Sequence, residues 1–269
     1  MTTPLDFADW LRLREPADAA ARSVELVDAA RRRLTGDRPL VVHDLGTGTG
    51  SMVRWLAPRL PGPQHWILYD RDPYLLERAA TDLVDGAADG SKVTVEVRRS
   101  DITRLTDADL ADADLVTASA LLDMLTAGEV ERVVAACADR PTLFMISVVG
   151  RVAFTPADPL DAEFAAAFNA HQRRTVDGRA LLGPDAVAAT VAAFTRRGID
   201  VQVRPSPWRL GPDQAALTVE WLTGWLDAAC EQRPELAGPA GAYRRRRLAE
   251  AADGRLRVVL QHADLFAGG

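Results

Sequence analysis

An apolar run that ends in an acid and then sets glycine at every second position, VVHDLGTGTGS over 41–51, constrains this chain more than any other stretch. The run reads as a buried strand and the residues after Gly50 as a helix, so Gly46, Gly48 and Gly50 form the turn between them. Without Cβ atoms such a turn bends tightly and lets a ligand lie against main-chain N–H groups at the helix start. A bare strand-to-helix connection does not need three alternate glycines, so the stretch is read as a ligand loop.

The residues around the loop narrow the ligand. A dinucleotide fingerprint counted from Gly46 puts Ser51 where its third glycine belongs, and one counted from Gly48 puts Val53 there. The glycine-lysine phosphate loop has no match. Asp44 beside the loop repels a pyrophosphate and attracts an amine. Asp70 closes the second strand about twenty residues on, where an α/β sheet presents an acid to the two hydroxyls of a ribose. Asp101 follows the third strand, within reach of an adenine amino group. An amine, a ribose and an adenine without phosphate describe S-adenosylmethionine.

Strand-like and helix-like stretches alternate, which predicts an α/β fold with a mainly parallel sheet. Strands are predicted at 39–45, 65–70, 92–100, 114–120, 142–149, 199–208 and 255–266, with helices at 50–60, 73–83 and 127–138. Residues 5–34 read as two helices broken near Pro16, and Pro205 and Pro207 require an edge or a bend in strand six. One domain over 1–269 follows, with an N-terminal helical cover at 1–36 and helical inserts at 150–197 and 209–253 above the cleft.

Four motifs in order, HDLGTGTGS, ILYDRDPYLLERA, VEVRRSDITRL and ADLVTASALLDML, resemble the class I S-adenosylmethionine-dependent methyltransferases. The likeness is close over 39–149 and extends through the last two strands; it is nearest to bacterial small-molecule enzymes of actinobacterial type. Polyamine synthases share the glycine motif, so the ordered set of four carries the resemblance. It implies a Rossmann-like seven-stranded sheet in the order 3-2-1-4-5-7-6, strand seven antiparallel, with helices on both faces. Carried onto this chain, it implies that Asp44, Gly46, Thr47, Gly48 and Gly50 surround the methionine part and that Asp70 holds the ribose. Arg71 lies over the adenine edge, Asp101 and Ile102 bind and flank the adenine, and Ala118 and Ser119 line the cleft near the sulfonium. Arg14 or Arg22 pairs with the cofactor carboxylate, or both lie on a solvated surface.

The acceptor is less constrained. Methyl transfer from a sulfonium needs alignment above all, and a base only where the acceptor must lose a proton. Two candidates arise: Asp123 after strand four, which faces the acceptor or caps the helix near Thr126, and His171, which serves as base or ends a helix at the surface. The strand-four loop reads SALLDML rather than NPPY or DPPY, which removes DNA amino groups and protein glutamine as acceptors. A net charge of −6 disfavours nucleic acid, and the arginine runs at 31–33 and 244–247 read as solvated helix faces. No apolar run is long enough to span a membrane, the N-terminus lacks a signal-peptide core, and Cys137 and Cys230 match no metal spacing. The expectation is a cytoplasmic monomer or homodimer, without metal, acting on a small molecule. The rivals are an RNA methyltransferase, which needs 31–33, 173–174 and 244–247 on one face, and a cofactor-binding protein without transferase activity.

Overall fold

The structure is a computed structural model that describes residues 6–34, 38–82, 86–137 and 140–268. Along the chain α1 (Phe7–Ala21) and α2 (Val24–Arg31) precede β1 (Leu40–Leu45), α3 (Ser51–Leu56), β2 (Gln64–Asp70), α4 (Pro73–Thr81) and β3 (Val93–Arg99). β4 (Leu115–Ser119), α5 (Ala127–Cys137) and β5 (Thr142–Thr155) follow. Then come α6 (Asp161–Gln172), a hairpin of β6 (Thr175–Val176) and β7 (Arg179–Ala180), α7 (Ala186–Thr195), β8 (Val201–Pro205) and β9 (Trp208–Leu210). The chain closes with α8 (Ala215–Gln232), α9 (Ala237–Ala252) and β10 (Arg257–Ala267).

The main sheet runs β3-β2-β1-β4-β5-β10-β8, the expected order, with β10 antiparallel and β9 as an added partner at its start. β1 sits at the centre because its residues are covered on both faces, as a parallel strand requires. On one face α2, α3 and α4 pack Leu26, Met52, Trp55 and Leu76 against Val42, Trp66 and Leu68. On the other, α5 and α7 pack Val130, Val134 and Phe194 against Ile67, Val116 and Phe144.

A third apolar cluster forms a cap. β4 pairs with β5 only as far as Met145, whereas β5 and β10 stay paired out to Thr155 and Arg257. Their overshoot carries α6, α8, α9 and β9, which share a core of Phe154, Phe164, Trp208, Trp225 and Tyr243. Strand five is therefore longer than the predicted 142–149. The reason is that GRVAFT, polar and mixed in sequence, gains its ladder from β10 rather than from a parallel neighbour.

Three further expectations change. α1 runs through Pro16, and the break falls at Arg22–Ser23, where buried Asp264 accepts the Ser23 N–H at 2.7 Å. The lost Pro16 hydrogen bond is offset by the Arg14–Asp18 ion pair that spans it at 2.9 Å. Strand six splits into β8 and β9, with the bend at Ser206 and Pro207, so both prolines find the edge or bend they need. The run 244–247 is a solvated face only in part: Arg245 and Arg246 are exposed, Arg246 pairing with Asp158 at 2.7 Å, whereas Arg247 is fully buried. The helix ends expected at 83 and 138, and parts of the cover expected at 1–36, lie outside the described residues.

Candidate cofactor cleft

β1 delivers Asp44 to the C-terminal edge of the sheet, and the chain then turns through Gly46 and Gly48, both at positive φ. A Cβ on Gly48 would stand 3.1 Å from Leu11 of α1, so the helix leans onto the loop. Gly50, also left-handed, serves packing instead: a Cβ there would meet Ala79 of α4 at 3.3 Å. The loop opens on a cleft of about 1010 Å³, bordered by α1, the ends of β1 to β4 and the β6–β7 hairpin. That is the upper end of the roughly 300–1,000 Å³ common for small-molecule sites.

Three carboxylates stand along this cleft at successive strand ends. Asp44 is buried, with Thr117 donating to one oxygen at 2.6 Å and the other oxygen without a partner. Burial pushes its carboxyl up to about 6, and the Thr117 hydrogen bond opposes that shift. Asp70 accepts the Gly48 N–H at 2.9 Å and the Asp72 N–H at 3.0 Å, one on each oxygen, which fixes its plane and leaves a lone pair on each. Asp101 accepts the Thr103 N–H and hydroxyl on one oxygen, and those bonds hold it below the usual carboxylate range.

Of the other residues expected at the cofactor, Thr47, Arg71, Ile102 and Ser119 line the cleft. Gly50, Ala118 and Arg22 do not. Ala118 is 1% exposed and points into the α5 core. Arg22 lies beneath the cleft floor, donating to the Ser51 carbonyl at 3.2 Å, the Ser51 hydroxyl at 3.1 Å and the Ser119 hydroxyl at 3.0 Å. It braces two cleft serines.

The arginine that does line the cleft is Arg14. Its Nε and Nη2 donate to buried Asp18 at 2.9 and 3.1 Å, while Asp18 also accepts the Trp208 indole N–H at 2.8 Å. The guanidinium stacks 4.9 Å from the Trp208 ring centroid, so a rigid fork presents its remaining nitrogen. Arg179 and Glu129 also border the cleft, paired at 2.7 Å. Nothing in the sequence places the hairpin that brings Arg179 across α5.

The acceptor-side candidates separate. Thr126 and Glu129 cap α5 reciprocally, at 2.8 and 3.2 Å, so Asp123 is not the cap. Asp123 occupies the 3₁₀ turn Leu122–Met124, and burial pushes its carboxyl up to about 6. His171 sits in the last turn of α6, its Nε2 3.3 Å from Glu231 of α8 and its Nδ1 3.2 Å from Arg174. It ties two cap helices together and is not among the cleft residues. Among the described residues no group of His, Cys, Asp and Glu could hold a metal ion, and no helix is long and apolar enough to cross a membrane.

Residues 42–140 match the model of a family described as methyltransferase domain. They form a class I S-adenosylmethionine-dependent methyltransferase domain. The methyltransferase takes S-adenosylmethionine as its cofactor. It is similar to the solved cyclopropane synthase MmaA2 from Mycobacterium tuberculosis, with 13% identity, 98% of this chain and 95% of that chain covered, and a TM-score of 0.49. It is also similar to an S-adenosylmethionine-dependent methyltransferase from Geobacter sulfurreducens in complex with S-adenosyl-L-homocysteine, with 17% identity, 99% and 98% covered, and a TM-score of 0.46. An O-methyltransferase family protein from Burkholderia thailandensis shares 20% identity over 74% of this chain and 55% of its own, with a TM-score of 0.46. No curated protein matches the chain in sequence.

Proposed function

We propose that this methyltransferase transfers a methyl group to an oxygen or nitrogen of a small molecule in the cytoplasm, of the kind found in secondary metabolism. One observation carries the cofactor's placement: Asp44, Asp70 and Asp101 line a single cleft from successive strand ends, each with acceptor capacity left over. The unpartnered Asp44 oxygen suits the ammonium, the Asp70 pair suits the ribose hydroxyls, and Asp101 beside Ile102 suits the adenine. Arg14, pre-set by Asp18 and Trp208, suits the carboxylate. The bound cofactor supplies an electrophilic methyl with a good leaving group. The protein's part is to align the acceptor and exclude water under the cap. Asp123, not itself a cleft-lining residue, stands in the turn between the cleft residues Leu121 and Met124, and with its carboxyl raised by burial it is our candidate to take a proton from a hydroxyl or ammonium acceptor.

A small acceptor fits better than RNA. Arg31 pairs with Asp28, Arg173 with Asp185, and Arg244, Arg246 and Arg247 with Asp227, Asp158, Asp161 and Glu250, so five of the nine arginines in the three clusters are neutralised locally. Calorimetry on the purified chain tests the cofactor placement. S-adenosylhomocysteine should bind with micromolar Kd without added metal, and Asp70→Ala should weaken it by roughly 1.5–3 kcal/mol, the usual size of a charge-linked hydrogen bond. Binding of NADH in place of both sulfur nucleosides would overturn the reading.

A further inference from the structure

Two non-glycine residues with left-handed backbone meet at the floor of the cofactor cleft: Ala120 (φ 53°), just past the end of β4, and Ile146 (φ 54°) in β5. Ile146 is fully buried and branched at Cβ, the kind of residue that this conformation strains most. It sits in a β-bulge. Ser147 pairs with Ala263 of β10 and Phe144 with Leu265, so Met145 and Ile146 together face Asp264. Glycine is the usual occupant of a left-handed bulge position, so an isoleucine there has to be held.

One peptide unit is gripped at both ends. Its N–H, on Ile146, donates to Asp264 Oδ1 at 2.7 Å, and its carbonyl, on Met145, accepts the Ala120 N–H at 2.9 Å. The second Asp264 oxygen accepts the Ser23 N–H at 2.7 Å, at the junction of α1 and α2. Burial raises the Asp264 carboxyl, while the two N–H donors and the charge of Arg22 oppose that rise and favour the ionised form. A carboxylate only accepts, so the peptide turns its N–H towards Asp264 and its carbonyl away. Rotating this planar unit by about 180° would move the φ of Ile146 from 54° to about −126°, in the extended region, and release the strain. The same rotation would take the Met145 carbonyl from Ala120. The consequence reaches the cleft, which Ser119, Ala120 and Leu121 line in succession. Leu121 packs on the glycine loop, since a Cβ on Gly46 would stand 3.0 Å from its Cδ1.

We infer that Asp264 is a positioning residue for the cofactor: it holds the Met145–Ile146 peptide in its strained orientation, and that peptide seats the exit of β4, Ser119 to Leu121, along the cleft. The inference rests on the cofactor placement proposed above. Asp264→Asn tests it, because an amide offers one acceptor and one donor where the carboxylate offers two acceptors. The donor should turn to residue 146 rather than 23: the φ of Ser23 is already an ordinary −72°, so only a flip at Ile146 relieves strain. The chain has four isoleucines, and selective isotope labelling of them reports the bulge through Ile146 and the cleft through Ile102, with Ile199 as reference. In Asp264→Asn the HN–Hα coupling of Ile146 should move from its left-handed to its extended value, and calorimetry should show S-adenosylhomocysteine bound at least about fivefold more weakly. Arg247→Met, which loosens the cap instead, should leave that coupling unchanged. In the wild type, saturating nucleoside should shift the amides of both Ile102 and Ile146, although Ile146 is not a cleft residue, and leave Ile199 in place. A folded Asp264→Asn with affinity within about twofold of the wild type, or with weakened affinity and Ile146 still left-handed, would overturn the proposal. Should Asp264→Asn not fold, the wild-type titration decides, and an Ile146 amide that stays in place while Ile102 moves overturns it. An Ile102 amide that stays in place as well sinks the cofactor placement first and this proposal with it.

Discussion

Asp44 concentrates the conflict between stability and function. Its carboxyl is buried, half-satisfied and raised from 3.8 to about 6. With the folded value above the unfolded one, its contribution to stability is present below pH 4 and is lost as pH rises through 6. A bound ammonium favours the ionised form, so the cofactor should reverse that loss. Affinity for S-adenosylhomocysteine should therefore increase as pH rises from 5 to 7 and level off above, by up to about tenfold per unit. Asp44→Asn should flatten the profile and weaken binding, yet stabilise the free protein at pH 8 by up to about 3 kcal/mol, the worth of a two-unit shift. Calorimetry across pH 5–8 with denaturant melts at pH 5 and 8 reads both effects. A flat wild-type profile would remove Asp44 from the amine site. The residue was legible in the sequence because the acid and the glycines are adjacent; its hydrogen-bond partner was not, since Thr117 comes from β4, 73 residues away.

The elements that bear the cofactor and those that cover it draw on different interactions. β1 and β2 announce themselves as apolar runs that end at an acid, β3 is followed by Asp101 and β4 is an apolar run that ends in Ser119, so their order, their ends and the three cleft carboxylates were readable. The cap was not, because α6, α8 and α9 owe their positions to long-range contacts. Arg247 is the clearest case: RRRR looks solvated, yet that side chain donates to the Pro156 carbonyl at 2.7 Å and Glu250 at 2.8 Å, and pairs with Asp161. It also stacks 4.9 Å from the Phe154 ring and 5.2 Å from that of Tyr243. Arg247→Met should cost about 3 kcal/mol, the low end for breaking a buried pair, since both acids keep some contact with water. S-adenosylhomocysteine affinity should change less than twofold, because the cleft walls lie on α1, β1 to β4 and the hairpin. Denaturant melts and calorimetry on one preparation separate the two; a loss below 1 kcal/mol would make the network a surface feature. His171 belongs to the same layer, which is why its polar neighbours misdirected a reading made along the chain.

Across the whole molecule, charge decides what can approach the cleft. The sequence carries 32 lysines and arginines against 38 aspartates and glutamates, and the fold pairs Arg31, Arg244, Arg246 and Arg247 of the arginine runs with acids. Nucleic-acid affinity grows with the number of phosphates neutralised and the counterions released, and a surface of paired arginines releases few. Along the cleft the pattern is similar: Arg14 faces Asp18, Arg104 faces Asp101 and Arg179 faces Glu129, while Arg71 and Arg132 have no acid partner among the described residues. Two unpaired cations give a salt slope near two, far from the six to ten contacts that make an RNA complex sensitive to salt. A gel shift with structured RNA in roughly 150 mM salt should therefore show no discrete band, and any smear at about 50 mM should weaken by about tenfold on going to 200 mM. Arg71→Ala should leave that smear unchanged in position, because a single contact is worth little once screened. A tight band on one RNA, steep in salt and abolished by charge reversal at Arg31, Arg32 and Arg33, would place the methyl acceptor in nucleic acid and the cap among its contacts.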